Sequence, residues 1–567
     1  MSRDRVSSEG YLRVLSALSW RQLSLLVGLS ILTSILLMAD DVLFHLLGSA
    51  HYAVFEPVYA LVIWLLSLSF WLCRQRWLVL LVLALFATMQ VMQFANLAFT
   101  GEPLGVSDLQ NALLNPEDVS QALKASWRPY IWLVVVVGLP YGALAFLHGV
   151  LSPRINTPYF GLAWLLILLI IAAKPIRASY RDLEDFLPGP TRSALHNSMN
   201  VFSFFAVKGL QEGASPHATS MHAMVPYTMT PQVASPSARH IWLVVADSLR
   251  PDRMSAYGAA RNTTPHLQAW MGKLDGVPLQ GIAAGVSTAV SLPALINVIR
   301  EPGQEAWMRD KRHNLFRLAN ERGYETYWLS SQESKLLTYL GRPFIDHVVT
   351  KENRVLGFMQ RRDALLADII EKQMPTDKSF VVFNMRAVHF PYEENYQHDA
   401  AFAPPWSTTG QLDHETRMRN TYDNALLHWD GVMNRILQAF AKLEGEKYLI
   451  ITADHGQLLG EGGRWGHNRL QPEVVEVPLM VFSADADKPH DLIQQSWISH
   501  YELGLWIAQR LGVQIDNPNA DDTLHFNHGD QLLGDRFVLP IREWPDRIEY
   551  HAPVLLSTLR PRQTADR

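Results

Sequence analysis

Five long apolar runs crowd into the first third of this 567-residue chain: Leu23–Met38, Pro57–Cys73, Trp77–Ala98, Tyr130–Leu147 and Tyr159–Ala173. A bilayer core about 30 Å thick needs roughly 20 apolar residues per helix, and apolar or aromatic flanks lengthen most of these runs toward that figure. Buried helices of a water-soluble core would not cluster so densely. The sequence therefore predicts a five-span α-helical transmembrane domain over residues 1–174. Positive charge sets its orientation. Arg3, Arg5, Arg13 and Arg21 precede the first run, Arg74 and Arg76 separate the second and third, and Arg154 separates the fourth and fifth. The alternate loops carry Asp40, Asp41, Glu102, Asp108, Glu117 and Asp118, diluted by Lys124 and Arg128. The N-terminus is expected to be cytoplasmic, and an odd number of spans then exports everything after Lys174. The first run lacks a small-residue cleavage site, so no cleavable signal is expected.

Composition adds two limits. The net charge of −5 averages over dissimilar halves, and no basic cluster is interleaved with aromatics, so a nucleic-acid partner is not expected. The single cysteine, Cys73, ends the second run. The exported part thus has no disulfide and must be stable through burial alone, which a domain of its size can manage.

Residues 175–238 read as a connector. Pro188-Gly189-Pro190 and a later stretch rich in Pro, Ser, Ala and Met argue against a packed fold there. The uncharged segment Met199–Val207 has an apolar face that suits a membrane surface or the exported domain equally. Over residues 239–567 the pattern changes. Ile241–Ala246, Tyr324–Leu329, Phe380–Asn384, Tyr448–Ala453 and Val477–Phe482 are short apolar, β-branched or aromatic runs, separated by longer amphipathic segments such as Thr421–Leu443. That alternation predicts an α/β domain with a mostly parallel central sheet, whose ligands bind beyond the carboxyl ends of the strands.

The residues just after those runs carry chemistry. Asp247-Ser248 follows the first, His389 the third, and Asp454-His455-Gly456 the fourth, with Gly466-His467 shortly after. Each alone also fits an ordinary role, a capping Asp or a satisfied loop His. A hard oxygen beside an imidazole nitrogen suits Zn²⁺ better than Mg²⁺ or Ca²⁺. Between them, Gly285-Val286-Ser287-Thr288-Ala289-Val290-Ser291-Leu292-Pro293 runs from a small-residue loop into a helix. A hydroxyl at such a helix start faces unpaired N–H groups that favour an anion, although Ser287 and Thr288 also fit plain capping.

These segments, with Asn420-Thr421-Tyr422-Asp423-Asn424, Leu459-Gly460-Glu461 and Val477-Pro478-Leu479-Met480, occur in the order and spacing of a known family. The chain resembles the membrane-anchored phosphoethanolamine transferases of lipid A type, within the alkaline phosphatase/sulfatase superfamily. The resemblance implies a zinc ion bound by Asp247, Thr288, Asp454 and His455, with Thr288 as nucleophile. It places His389 and His467 beside the transferred phosphoryl group. Lys335 falls at the spacing of a family lysine near that group, and by residue type alone it also reads as a solvated surface lysine. The implied reaction is ping-pong: zinc-activated Thr288 attacks phosphatidylethanolamine, and an envelope acceptor, lipid A or a glycan, then takes the phosphoethanolamine. The implied location is the bacterial inner membrane, multi-pass, with a periplasmic catalytic domain.

Three departures mark a different subfamily and leave the acceptor open: Asp247 stands where the family usually has Glu, Gln457 replaces a frequent Glu, and the family's disulfide cysteines are absent. A sulfatase would need a Cys/Ser-x-Pro-x-Arg context at the nucleophile, and none is present there. The rival enzyme is a phosphoglycerol transferase using phosphatidylglycerol. A catalytically silent membrane sensor or scaffold is the rival of another class, and it predicts loss of ligands that are all present.

Overall fold

A computed structural model describes residues 19–39, 57–100, 103–106, 108–109, 112, 116–155, 163–181, 186, 194–209, 225–231 and 238–559, the last without 333, 376, 487, 529–536 and 545–546. The chain divides into two compact units, Met1–Pro216 and His217–Arg567.

The first unit is helical: α1 (Trp20–Leu37), α2 (Pro57–Leu72), α3 (Arg76–Thr100), α4 (Pro116–Ile155), α5 (Ala163–Tyr180) and α6 (Ala194–Phe204). Leucine-, valine- and alanine-rich sequence drives these helices, and a capping box between Ser19 and Gln22 starts the first. Their inner faces interlock through Leu66, Phe70, Val79, Phe86 and Leu133. Hydroxyls and indoles bind helix to helix: Trp71 Nε1 donates to Thr33 Oγ1 at 2.9 Å and Trp64 Nε1 to Ser30 Oγ at 3.1 Å. Leu32, Ile35, Leu81, Leu139 and Leu169 point outward and are exposed. A bundle apolar on both sides fits lipid as its solvent. Helices α1, α3, α4 and α5 are long and apolar enough to cross a membrane. Among the described residues, four of the five expected spans reach that length, while α2 counts 16 residues, about 24 Å at 1.5 Å per residue. The segment at Met199 packs within this unit, against α3 and α5.

The second unit is built on an eight-stranded sheet. In chain order the strands of this unit are β1 (Thr228–Pro231), β2 (His240–Ala246), β3 (Val277–Ile282), β4 (Glu325–Ser330), β5 (His347–Val349), β6 (Ser379–Met385), β7 (Lys447–Ala453), the hairpin pair β8 (Leu458–Leu459) and β9 (Trp465–Gly466), β10 (Glu476–Ala484), β11 (Trp497–Ser499), β12 (Val513–Asp516), β13 (Thr523–Asn527), β14 (Phe537–Glu543), β15 (Ile548–Tyr550) and β16 (Val554–Leu555). The main sheet has the order β11-β3-β10-β7-β2-β6-β4-β5. Strands β2, β6 and β7 are buried along their whole length, which is why they read as unbroken apolar runs. On one face Ile241, Leu243 and Val245 meet Leu292 and Leu295 of α7 (Thr288–Ile296) and Ile507 of α9 (His500–Arg510). On the other, Trp242 packs on Phe440 of α8 (His414–Ala441), ring centroids 5.5 Å apart.

Two expectations change here. The sheet is mixed, because β10 runs antiparallel to both β7 and β3. The chain between β7 and β10 holds the small hairpin, the helical turn Glu461–Gly463 and the short helix Pro472–Val475, with no long helix of the kind that usually carries a parallel return. The connector is also partly packed: β1 pairs antiparallel with β12, and Tyr227 is buried beside Glu301.

Candidate active site

Register brings the first carboxylates together. Ala246 of β2 pairs with Ala453 of β7 and with Met385 of β6. Asp247 and Asp454 are the next residues along, so they leave the sheet side by side. Gly456 lets the chain turn without obstruction, since a Cβ there would lie 2.1 Å from the Glu473 carbonyl oxygen.

Asp247, Asp454 and His455 each offer a ligand atom within 4.8 Å of the others, and all three are buried. His455 is the informative member. Its Nδ1 lies 2.8 Å from the Gly456 carbonyl and so carries the ring proton, leaving a lone pair on Nε2. That Nε2 has no hydrogen-bond partner and faces Asp454 Oδ2 at 3.5 Å and Asp247 Oδ1 at 4.0 Å. Burial pushes the ring below its ordinary pKa despite the pull of Asp247, so it stays neutral. A buried lone pair aimed at two carboxylates is unfavourable unless a cation lies among them. Two oxygens and one nitrogen fit Zn²⁺. Burial also pushes Asp454 up to about 6, against the hydrogen bonds it receives from Thr288, Ser248 and His455.

Thr288 is the first residue of α7, half-buried, and its hydroxyl donates to Asp454 Oδ2 at 2.5 Å. Ser287 occupies the cap position, but its side chain makes no capping bond. The loop before it is tight: a Cβ on Gly285 would meet Val290 at 2.4 Å. His467 stacks on His455, centroids 4.1 Å apart, and its Nδ1 bonds the Val286 carbonyl at 2.8 Å. Burial and the neighbouring His455 ring hold it neutral. The structure thus gathers Asp247, Thr288, Asp454, His455 and His467. His389 lies in the loop after β6, at the same end of the sheet, with its carbonyl held by Asn395 Nδ2 at 2.8 Å. Lys335 lies in the short turn Ser334–Leu336 after β4, and its side chain is outside the described residues.

Other residues support this cluster, and of them Gln332 carried no sequence signal. Gln332 Nε2 donates to Asp247 Oδ2 at 3.0 Å, and Ser248 Oγ to Asp247 Oδ1 at 2.6 Å. Ser248 has a φ of 63°, an uncommon conformation for a non-glycine residue, and it turns its N–H onto Asp454 Oδ1 at 3.2 Å. Tyr422, from the Asn-Thr-Tyr-Asp-Asn segment, clamps this turn by donating to the Ser248 carbonyl at 2.8 Å. Gln457 instead reaches Tyr392, donating to its hydroxyl at 2.9 Å. Such outer partners fix ligand orientation, so if the cluster takes Zn²⁺, Gln332→Leu is expected to weaken its binding by roughly 10- to 100-fold. Competition with a chelating dye measures this, and unchanged affinity would show that Asp247 needs no such support.

Residues 239–513 match the sulfatase family. The putative transferase YhbX of Escherichia coli O157:H7 is 23% identical over 350 residues, 60% of this chain and 60% of that protein. The Kdo(2)-lipid A phosphoethanolamine 7''-transferase of Salmonella typhimurium is 24% identical over 262 residues, covering 43% of this chain and 44% of its own length. The matched region therefore spans well under two thirds of these relatives. In fold, the integral membrane lipooligosaccharide phosphoethanolamine transferase A of Neisseria meningitidis superposes with a TM-score of 0.57 at 18% identity, over 86% of this chain and 95% of that one. Residues 239–513 thus carry a sulfatase-family domain, and the phosphoethanolamine transferases named above are what the chain is similar to.

Proposed function

We propose that this protein transfers phosphoethanolamine from phosphatidylethanolamine to an envelope acceptor, lipid A or a glycan, through a phospho-threonine on Thr288. The observation that carries this reading is the Thr288 hydroxyl, bonded to Asp454 at the start of α7 and set beside the Asp247–Asp454–His455 cluster. Those three residues and Thr288 would hold Zn²⁺, which when bound lowers the pKa of a ligated hydroxyl and polarises a phosphoryl oxygen.

The chain's own groups do the rest. Asp454 Oδ2 holds the Thr288 hydroxyl hydrogen and so aims the oxygen lone pairs away from itself, toward the substrate. The first N–H groups of α7 point at the place where the phosphoryl oxygens arrive, and the helix dipole favours their charge. In the first half-reaction the Thr288 Oγ1–P bond forms as the hydroxyl proton passes to Asp454 Oδ2, and the P–O bond to diacylglycerol breaks, the leaving oxygen taking up that proton. In the second, the acceptor oxygen attacks, the Thr288 Oγ1–P bond breaks and the threonine oxygen takes up the proton that the acceptor gives up. His467, neutral and with Nδ1 committed to Val286, presents Nε2 to take the acceptor's proton. His389 and Lys335 are assigned to the phosphoryl side of the site.

The apolar helices are read as an anchor over residues 1–174 in the inner membrane, with the N-terminus cytoplasmic. Residues 175–238 connect it to a periplasmic catalytic domain over 239–567. A lipid donor gives such an anchor a purpose beyond tethering. The test is donor turnover by full-length protein in mixed micelles with zinc and an envelope extract as acceptor. Diacylglycerol release from phosphatidylethanolamine is expected. Release from phosphatidylglycerol alone would replace this reading with phosphoglycerol transfer.

A further inference from the structure

His500 is a buried histidine that the proposed chemistry leaves unused. It opens α9, directly after β11, and is 2% exposed. Its Nδ1 lies 3.0 Å from Ser291 Oγ on α7. Its Nε2 lies 3.4 Å from Thr452 Oγ1 on β7. Ser291 is one helical turn beyond Thr288, on the same face of α7. Thr452 and Ala453 immediately precede Asp454. One imidazole thus bridges the helix that presents Thr288 and the strand that presents Asp454.

The Ala284 N–H donates to Ser291 Oγ at 3.3 Å, so this hydroxyl joins the loop before Thr288 to the imidazole. Burial holds the ring neutral, pushed down to about 4. An apolar side chain would fill the same space without needing two polar partners, and a buried polar network contributes orientation beyond packing. The segment on the other side of Thr288 is fixed too, since the Val286 N–H bonds the Asn527 carbonyl at 2.9 Å.

We propose that His500, acting through Ser291, is a positioning residue that sets the Thr288 hydroxyl against Asp454. This rests on the transfer reading above. Loosening the bridge lets α7 shift relative to β7, and a small misplacement of a nucleophile is costly in rate.

The experiment uses full-length protein in micelles of phosphatidylethanolamine with zinc and follows the rate of adduct formation on Thr288, the donor KM and the bound zinc. The variants are Ser291→Ala, His500→Gln and the two combined. Each single variant is expected to slow adduct formation at least tenfold, with donor KM within twofold and zinc content unchanged. The double variant is expected to be no slower than the worse single one, because both changes break the same bridge. Singles with wild-type rates, effects that multiply in the double variant, or losses that track zinc content would each overturn the proposal. If the wild type itself forms no adduct, the transfer reading fails and the positioning role falls with it. An adduct in the wild type with unaltered variants rejects His500 alone.

Discussion

Thr288→Ala is expected to lower transfer by roughly a thousandfold or more, the scale seen when a covalent nucleophile is removed, while leaving a folded, zinc-binding protein. The fold should survive because the residue is half-buried and alanine is a better helix former than threonine. Asp454 also keeps the N–H groups of Ser248 and His455 when the hydroxyl goes. Thr288→Ser keeps an oxygen at the same place and should retain measurable turnover. Steady-state diacylglycerol release with a melting curve for each variant reads both claims. An alanine variant of near wild-type rate would remove Thr288 from the chemistry.

Asp454→Asn is expected to abolish zinc binding and transfer together. Its Oδ1 accepts two backbone N–H groups and its Oδ2 the Thr288 hydroxyl. An asparagine can keep its oxygen toward the two N–H groups and turn its amide to the threonine, whose hydroxyl rotates to accept. Local geometry therefore survives and the charge does not. The same residue predicts a pH dependence. Burial raises Asp454 to about 6, so below that pH a proton occupies the carboxylate in the metal-free protein and competes with zinc. The rise in Tm produced by zinc should be large at pH 8 and shrink as the pH falls through about 6. A zinc effect unchanged between pH 8 and pH 5 would mean that Asp454 is not a ligand.

The parts legible in the sequence were those with a local signature. Strands β2, β6 and β7 are unbroken apolar runs because both faces are covered, and β4 and β10 show the same character. Their polar residues stand out where each run ends, which is why Asp247, Asp454 and His455 were visible as candidates. Strand β3, Val-Pro-Leu-Gln-Gly-Ile, carries a proline and a glycine and shows no such pattern, while β5 and β11 are three residues long. The direction of β10 is a property of its connection, and its residues do not encode it. Gln332, Ser248 and His500 act across the fold from loops or a helix start, where single polar residues are common and their partners lie far away in sequence. The apolar run at Pro57 looks like its neighbours by composition and forms a shorter helix among the described residues.

Intact mass of the full-length protein after incubation with phosphatidylethanolamine and zinc, with no acceptor present, tests the central claim most directly. The account predicts a single phosphoethanolamine adduct that maps to Thr288 by peptide sequencing, is absent in Thr288→Ala and disappears when an acceptor is added. An unmodified protein under conditions where diacylglycerol is released, or an adduct on another residue, would contradict it.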